Sequence, residues 1–424
     1  AIVMQRYLIL IVYLLILCNG NAIGNTDSIR IVSIEYCQKY YSTFISKDNP
    51  DSVLYYANML ISNYDDLNDT IKKLEYYDQT CDYLIKKSQY RMVPDLLKRY
   101  ISVAEYSGKE YFVARAYFLT GRFFSLANIN NEISLEYYNR SLAIFRSNEN
   151  YDNVALVYYN LGRYYHHIDK KRALDNYLKS VDIDNGQNNY DQLYITYRSL
   201  GELYRHEYKD YENGKLFYLK ALQVAIENND SIGMADANTE LGCINLQYHK
   251  TDSVLNYYFK ALTYAQLDFT YSHIGVFYET IGDLENALYY LLKTDQSKIY
   301  GFDNYIPERL LKIAELEEKL GYSDRAIKRY KTYIQAKDSL DRQNKAQEFS
   351  ELELKFELEN IDKENRLREE KAIVELQRQK DIRNSLIIFA CFLIIIIFLI
   401  YRNYSNKQKT NRKIYEANKK LHEA

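Results

Sequence analysis

Arginine and aromatic side chains recur at helical spacing between residues 115 and 205, where they could bind an anionic or polar ligand. Arginine forms paired hydrogen bonds with carboxylate and phosphate groups, and an aromatic ring offers a stacking surface beside it. The alternative is a solvated charged surface that nearby Glu and Asp residues balance. The candidate ligand-binding residues are Arg115, Phe118, Arg122, Tyr159, Arg163, His166, Arg198 and Arg205.

Motifs for catalysis and for tightly bound cofactors are absent from the sequence. It has no Gly-rich phosphate loop, no His-Glu-x-x-His zinc motif, no Gly-x-Ser-x-Gly nucleophile motif and no Cys-x-x-Cys pair. His166 and His167 are adjacent, and on a continuous helix their side chains point about 100° apart, so we expect that they do not hold a metal jointly. We therefore expect neither an enzyme active site nor a metal or other cofactor.

Composition indicates a folded, nearly all-helical chain. Its 424 residues include only 3 Pro and 14 Gly, while 47% are hydrophobic and 47 are Tyr, unlike a disordered or collagen-like sequence. The net charge is -2, so no overall positive field favours nucleic acid, and we expect no direct nucleic acid binding by these residues. Cys37, Cys81 and Cys243 are too widely spaced for a zinc site and odd in number for a disulfide framework.

One sequence pattern returns about every 40 residues through the middle of the chain. Its small residue recurs in steps of 41, 39, 41, 33 and 39 residues, and a Tyr or Leu follows it by 15 to 17 residues. Two degenerate copies centre near Tyr41 and Cys81. The small positions are Gly121, Gly162, Gly201, Gly242, Gly275 and Ala314, and the large ones are Tyr138, Tyr177, Tyr218, Tyr258, Leu291 and Tyr330.

This pattern resembles the tetratricopeptide repeat (TPR) over about residues 30–340. Each repeat of that family is a pair of helices, and the small residue lies where the two helices cross closely. The resemblance implies an all-α, TPR-type α-solenoid of about eight helix pairs, a right-handed superhelix whose concave face is lined by the first helices. It also implies that the groove binds a protein or peptide partner or a small polar ligand, and that most tyrosines pack in the core.

Apolar runs near both ends predict export and membrane insertion. Residues 1–22 combine a basic residue, about eleven uncharged residues and small residues near a cleavage position, which is typical of a secretory signal peptide. Residues 385–401 carry no charge and are long enough to cross a lipid bilayer as a helix. Residues 402–424 are strongly basic, and basic segments stay in the cytoplasm. We expect a single span of the inner (cytoplasmic) membrane, with the repeats in the periplasm and the C-terminus cytoplasmic.

The remaining segments complete the predicted organisation. No Gly or Pro follows Gly321, so we expect a helix from about Asp324 to the membrane. Its heptads are imperfect, and two alternatives stay open. The helix either forms a marginal coiled coil in a homodimer or is a solvated stalk. The predicted segments are a signal peptide at 1–22, degenerate TPR-like repeats at 23–110, TPR repeats at 111–340, a charged helical stalk at 341–384, the transmembrane helix at 385–401 and a basic helix at 402–424, which we expect to be truncated.

The combined architecture resembles a family of single-span regulators from Gram-negative bacteria. In that family a periplasmic TPR array senses and a cytoplasmic coil leads to a regulatory output domain; residues 414–424 are similar to the linker before that domain. The resemblance implies a membrane-anchored sensor that signals to a transcription-regulatory domain not included in this sequence. Two alternatives stay open: a membrane-tethered protein-interaction scaffold, and the sensory half of a histidine kinase.

Overall fold

Helices make up the regular secondary structure of the part of the chain that the structure describes. The computed structural model describes residues 26–127, 131–187, 189–247, 251–294 and 306–422. The predicted signal peptide lies outside these residues. The chain divides into two compact units, Ala1–Leu354 and Lys355–Ala424.

Sixteen α-helices follow one another within the described residues. They are α1 (Thr26–Ser46), α2 (Pro50–Asp66), α3 (Thr70–Lys86), α4 (Val93–Ser107), α5 (Glu110–Ala127), α6 (Asn131–Ser147), α7 (Tyr151–Tyr165), α8 (Lys170–Gln187), α9 (Tyr190–Leu203), α10 (Tyr211–Glu227), α11 (Ser231–Gln247), α12 (Thr251–Tyr264), α13 (Asp268–Thr280), α14 (Leu284–Lys293), α15 (Ile306–Lys319) and α16 (Ser323–His422). A short 3₁₀ turn precedes α4, and a π turn, Tyr204–Tyr208, follows α9.

Consecutive helices form pairs, as the repeat pattern predicts. In the six pairs from α5/α6 to α15/α16, the odd-numbered helix carries the small position and the even-numbered helix carries the large one. The degenerate copies near Tyr41 and Cys81 fall on α1 and α3. The described residues therefore form eight pairs, α1/α2 to α15/α16, and confirm the predicted all-α solenoid of about eight pairs.

Tight loops join many of these helices without proline. In five loops, a residue with positive φ directly precedes an Asn or Asp whose side chain accepts a hydrogen bond from the backbone N–H three residues later. Such a cap satisfies one of the N–H groups that a helix N-terminus leaves unpaired. The five caps are Asn49, Asp69, Asn150, Asp210 and Asp283.

The two helices of a repeat approach most closely where a glycine faces an aromatic ring. A Cβ added to Gly162 would lie 2.5 Å from Cδ1 of Tyr177, which is closer than real Cβ atoms come to a neighbour. The same contact recurs in three more repeats, with 2.8 Å for Gly121 and Tyr138, 2.7 Å for Gly201 and Tyr218, and 2.5 Å for Gly242 and Tyr258. All four tyrosines are at most 1% exposed. They belong to the core, as the repeat pattern predicts.

The second unit, Lys355–Ala424, contains the continuation of α16. Within it, Glu370–Tyr415 is long and apolar enough to cross a membrane, as judged by length and composition, and none of its most apolar stretch is buried. The uncharged run at 385–401 lies at its centre and basic residues follow it. This part of α16 is the one described helix that could span a membrane.

Replacing Gly162 by Ala should destabilise the array, because the new Cβ would clash with the ring of Tyr177. Gly186→Ala is a matched control: Gly186 lies in α8 and a Cβ there would meet no atom within 4 Å. Alanine exceeds glycine in helix propensity by up to about 1 kcal/mol in a helix interior, and by less at Gly186, one residue before the end of α8. Propensity therefore favours both variants, and a loss of stability in Gly162→Ala reports the clash. We expect Gly162→Ala to be less stable by about 1–3 kcal/mol in urea denaturation of the full chain in detergent, followed by circular dichroism. Equal midpoints would contradict the close-contact interpretation.

Candidate functional site

The predicted ligand-binding residues lie on three neighbouring first helices and in the turns that follow them. Helices α3, α5, α7 and α9 contact one another in that order. We call the side of α5, α7 and α9 that carries the predicted residues, together with the turns after α7 and α9, the first-helix face. Arg115, Phe118 and Arg122 lie on α5, Tyr159 and Arg163 on α7, His166 just after α7, Arg198 on α9 and Arg205 in the π turn.

The two arginines of α5 bind aspartates of the preceding first helix, α3. Nε and Nη2 of Arg115 lie 2.9 and 3.0 Å from the two carboxylate oxygens of Asp78, which is a bidentate ion pair. Nη1 of Arg122 lies 2.7 Å from Oδ1 of Asp82. The side chains of both arginines are less than 20% exposed. These two guanidinium groups therefore hold neighbouring repeats together.

Phe118 does not belong to an open surface, and its assignment as a ligand-binding side chain is corrected. It is 1% exposed, and its ring centroid lies 6.0 Å from that of Tyr138 on α6, the second helix of its own repeat. The guanidinium carbon of Arg115 lies 5.4 Å from the centroid of the Phe118 ring. The position three residues before Gly121 faces the partner helix, so Phe118 packs in the core.

The two arginines of the next repeat, Arg198 and Arg205, are also paired with carboxylates, mainly those of α11. Nε of Arg198 lies 2.6 Å from Oδ2 of Asp236, and its Nη1 lies 3.1 Å from Oε1 of Glu202. Nη1 of Arg205 lies 2.9 Å from Oε2 of Glu240, whose side chain is 6% exposed. Two positive charges meet three carboxylates. This part of the face is therefore balanced by acidic residues and carries no excess positive charge.

Burial dominates the protonation of the carboxylates in this cluster. Burial raises the pKa of Asp236, and Arg198 opposes the rise. Burial likewise raises the pKa of Glu202, and Arg198 opposes the rise. Because the same arginine contacts both acids, the cluster is a coupled unit rather than a set of independent charges.

Arg163 differs from the other four predicted arginines because it is exposed and has no ion pair with any described residue. It follows Gly162 directly, as Arg122 follows Gly121, but no aspartate of α5 faces it. Its guanidinium lies 5.9 Å from the ring centroid of the half-buried Tyr159, and Tyr159 in turn packs 6.0 Å from Tyr177. Arg163 and Tyr159 thus form an open cationic and aromatic surface within the first-helix face.

His166 and His167 lie beside an acidic residue of the neighbouring repeat. Helix α7 ends at Tyr165 and the chain continues as a turn, and the two ring centroids are 4.7 Å apart. Nδ1 of His167 lies 2.9 Å from Oε1 of Glu207, which comes from the π turn after α9. One ligand atom of each of the three residues lies within 4.8 Å of the others. These three side chains could therefore hold a metal ion together, with Glu207 supplied by the neighbouring repeat.

The environment of His166 keeps its ring neutral. Nδ1 of His166 lies 3.1 Å from the hydroxyl of Tyr177. Burial, with a smaller contribution from the neighbouring His167, lowers the pKa of His166 to about 4. At neutral pH one ring nitrogen of His166 is therefore unprotonated, and its lone pair is available to accept a hydrogen bond or bind a metal ion. The hydrogen bond to Tyr177 restricts the orientation of the ring.

The sequence carries a signal for these ion pairs. Asp78 and Asp82 precede their arginine partners by 37 and 40 residues, which is close to the repeat step. Opposite charges at that separation fall on adjacent first helices. Searching one repeat upstream and downstream of each arginine would have found the acidic residues of α3 and α11. Glu207 gives no such signal, because it is brought to His167 by the irregular π turn.

Comparisons with known proteins agree on the fold and on nothing finer. No family model and no curated protein matches the sequence. Among solved structures, the chain is similar to aspartyl phosphate phosphatase F from Bacillus subtilis, with 11% identity over 65% of this chain and 74% of that one and a TM-score of 0.50. It is also similar to the apo form of the quorum sensor NprR from B. thuringiensis, with 14% identity over 78% and 94% and a TM-score of 0.49.

A third similar structure is a signal transduction ATPase with a tetratricopeptide repeat sensor from Pyrococcus horikoshii. It has 15% identity over 77% of this chain and 56% of that one, with a TM-score of 0.46. At such identities the likeness concerns the fold alone. The helix pairing, together with the likeness to aspartyl phosphate phosphatase F, shows that this chain has an all-α, TPR-type α-solenoid fold. A long helix follows at its C-terminal end.

Replacing Arg205 should lower the free energy of unfolding of the array far more than replacing an exposed lysine that also has an ion pair. Arg205→Met leaves the buried carboxylate of Glu240 without its closest partner, which typically costs about 3–5 kcal/mol. Lys179→Met, the control, removes an exposed pair with Asp175 that contributes below about 1 kcal/mol. Urea denaturation of both variants measures the difference. If the two variants lost equal stability, the ion pairs between repeats would not be structural.

Proposed function

We propose that this chain is a membrane-anchored TPR-type sensor or regulator that binds a partner carrying an acidic group at Arg163 and Tyr159. The observation that carries the proposal is the contrast among five arginines: four are engaged by carboxylates of the fold and one, Arg163, is exposed. A surface that existed only for stability would be expected to pair this charge as well. The chain would act by binding rather than by catalysis.

The chemistry of the open surface defines the class of partner. A guanidinium binds a carboxylate or phosphate through two parallel hydrogen bonds, and an adjacent ring adds stacking and apolar contact. The arginines that flank this surface are engaged by carboxylates of the fold and offer no free positive charge to a second acidic group. We therefore propose a peptide or protein segment with a single acidic group, such as a free C-terminal carboxylate, rather than a polyanion such as nucleic acid.

Anchoring and orientation are the second part of the proposal. The apolar stretch of α16 would cross the inner membrane, since its uncharged run matches the thickness of a bilayer and basic residues follow it. The array would then face the periplasm and residues 402–424 would contact the cytoplasm and anionic lipid. A regulatory domain joined to this tail would receive the signal; without such a domain the chain would act as a tethered scaffold.

A physical route for the signal is the continuity of α16. This helix begins as the second helix of the eighth pair and continues to His422 without Gly or Pro. An uninterrupted helix transmits rotation or displacement better than a flexible linker, because its backbone has few low-energy hinges. If the repeats have two arrangements, a partner that binds one of them more tightly shifts the equilibrium toward that arrangement. The size of the shift is set by the difference between its affinities for the two arrangements.

Arg163→Ala should weaken partner binding, whereas Arg146→Ala should leave it unchanged. Both arginines are exposed and lie over adjacent tyrosines, Tyr159 and Tyr158, but Arg146 is on the second helix α6, away from the first-helix face. A random library of short peptides with free carboxyl ends would be selected on the full chain in lipid nanodiscs. Loss of a charge-assisted hydrogen bond, about 1.5–3 kcal/mol, predicts at least a tenfold weaker affinity for the Arg163 variant.

Two outcomes would contradict the proposed recognition. The first is that no peptide is retained by the full chain above the level retained by empty nanodiscs. The second is that selected peptides bind the Arg163→Ala and Arg146→Ala variants equally well. Amidating the carboxyl end of a selected peptide provides a ligand-side control, since it should reproduce the loss caused by Arg163→Ala.

A further inference from the structure

We propose that His166, His167 and Glu207 form a binding site for one divalent transition metal ion of the zinc class. The three residues come from adjacent repeats: the histidines follow α7, and Glu207 lies in the π turn between α9 and α10. Forty residues separate His167 from Glu207. A bound ion would therefore link the fourth and fifth repeats directly.

The ligand atoms are already close to metal-binding separations. One atom from each residue lies within 4.8 Å of the others, and Nδ1 of His167 is 2.9 Å from Oε1 of Glu207. Ligands about 2.0–2.1 Å from a tetrahedral zinc ion are about 3.3 Å apart. The side chain of His167 is 80% exposed, so solvent rather than packed side chains surrounds it and its torsions can adjust toward that separation.

A second feature of the site is the orientation of His166 by a residue outside the ligand set. Its Nδ1 lies 3.1 Å from the hydroxyl of Tyr177, and Tyr177 is fixed in the core against Gly162. With the proton on Nδ1, the ring donates to the tyrosine hydroxyl and presents Nε2 as the ligand atom. Metal-binding histidines are commonly held in this way by a hydrogen bond from the other ring nitrogen.

The donor set selects the class of ion. Two imidazole nitrogens and one carboxylate oxygen suit zinc, cobalt, nickel or copper, whereas calcium and magnesium prefer sites built from oxygen ligands. With three protein ligands and an exposed side at His167, the fourth position would hold water. His206 is adjacent in sequence to Glu207, but its Nε2 accepts a hydrogen bond from Nε of Arg205 at 3.0 Å. It therefore serves as a control residue.

Titration with Co²⁺ alone, monitored by the visible absorbance of the bound ion, tests the site on the purified full chain in detergent. We expect one ion per chain, displaced by Zn²⁺. His167→Ala and Glu207→Gln should each weaken binding by at least about tenfold, an effect as large as that of altering the residues around such ligands. His206→Ala should change the affinity by less than about threefold, which is under about 0.7 kcal/mol. All three changes are at positions that need not alter the core, and circular dichroism verifies the fold.

Three results would overturn the proposal. They are the absence of a stoichiometric cobalt signal in the wild-type chain, unchanged affinity in both the His167→Ala and Glu207→Gln variants, and a loss in His206→Ala as large as that in His167→Ala. None of these results bears on peptide binding at Arg163, because the titration contains metal ion only.

Discussion

The contact between a glycine and a tyrosine ring determines how the two helices of each central repeat cross. At Gly162 there is no room for even one more carbon atom beside Tyr177, and three further repeats repeat the arrangement. The contact sets the distance and rotation of each helix pair, because the ring cannot shift in a close-packed core. With that geometry fixed, successive first helices lie side by side. Charged residues one repeat apart can then reach each other.

The ion pairs between first helices are a consequence of this stacking, and they explain why a sequence with 55 basic and 57 acidic residues shows little free charge on the first-helix face. Arg115, Arg122, Arg198 and Arg205 each contact carboxylates from an adjacent repeat. Such pairs specify register more than they add stability, since desolvation offsets much of their attraction. Arg163 is outside this network and is exposed.

Periodic features of the sequence predicted the fold well, and irregular ones limited the prediction of the site. The recurrence of Gly162 and Tyr177 in register revealed the helix pairs, because a close contact restricts residue size at every repeat. Whether each arginine is paired or exposed depended instead on which residue faces it from the adjacent repeat. Phe118 lay on the expected helix but on the side that faces α6. Glu207 reaches His167 from the π turn after α9, and such a local departure from the repeat leaves little periodic signal.

The proposed signalling requires that the array and the basic tail lie on opposite sides of one membrane. Thiol labelling measures this directly, in a chain whose Cys18 and Cys391 are replaced by Ala and whose other cysteines are buried. A new cysteine replaces either Tyr106, which is 94% exposed in the array, or Tyr404, which is 61% exposed beyond the uncharged run. In spheroplasts, a membrane-impermeant reagent should label Tyr106→Cys at once and Tyr404→Cys only after lysis. Labelling of both positions before lysis, or of Tyr404→Cys alone, would contradict the account.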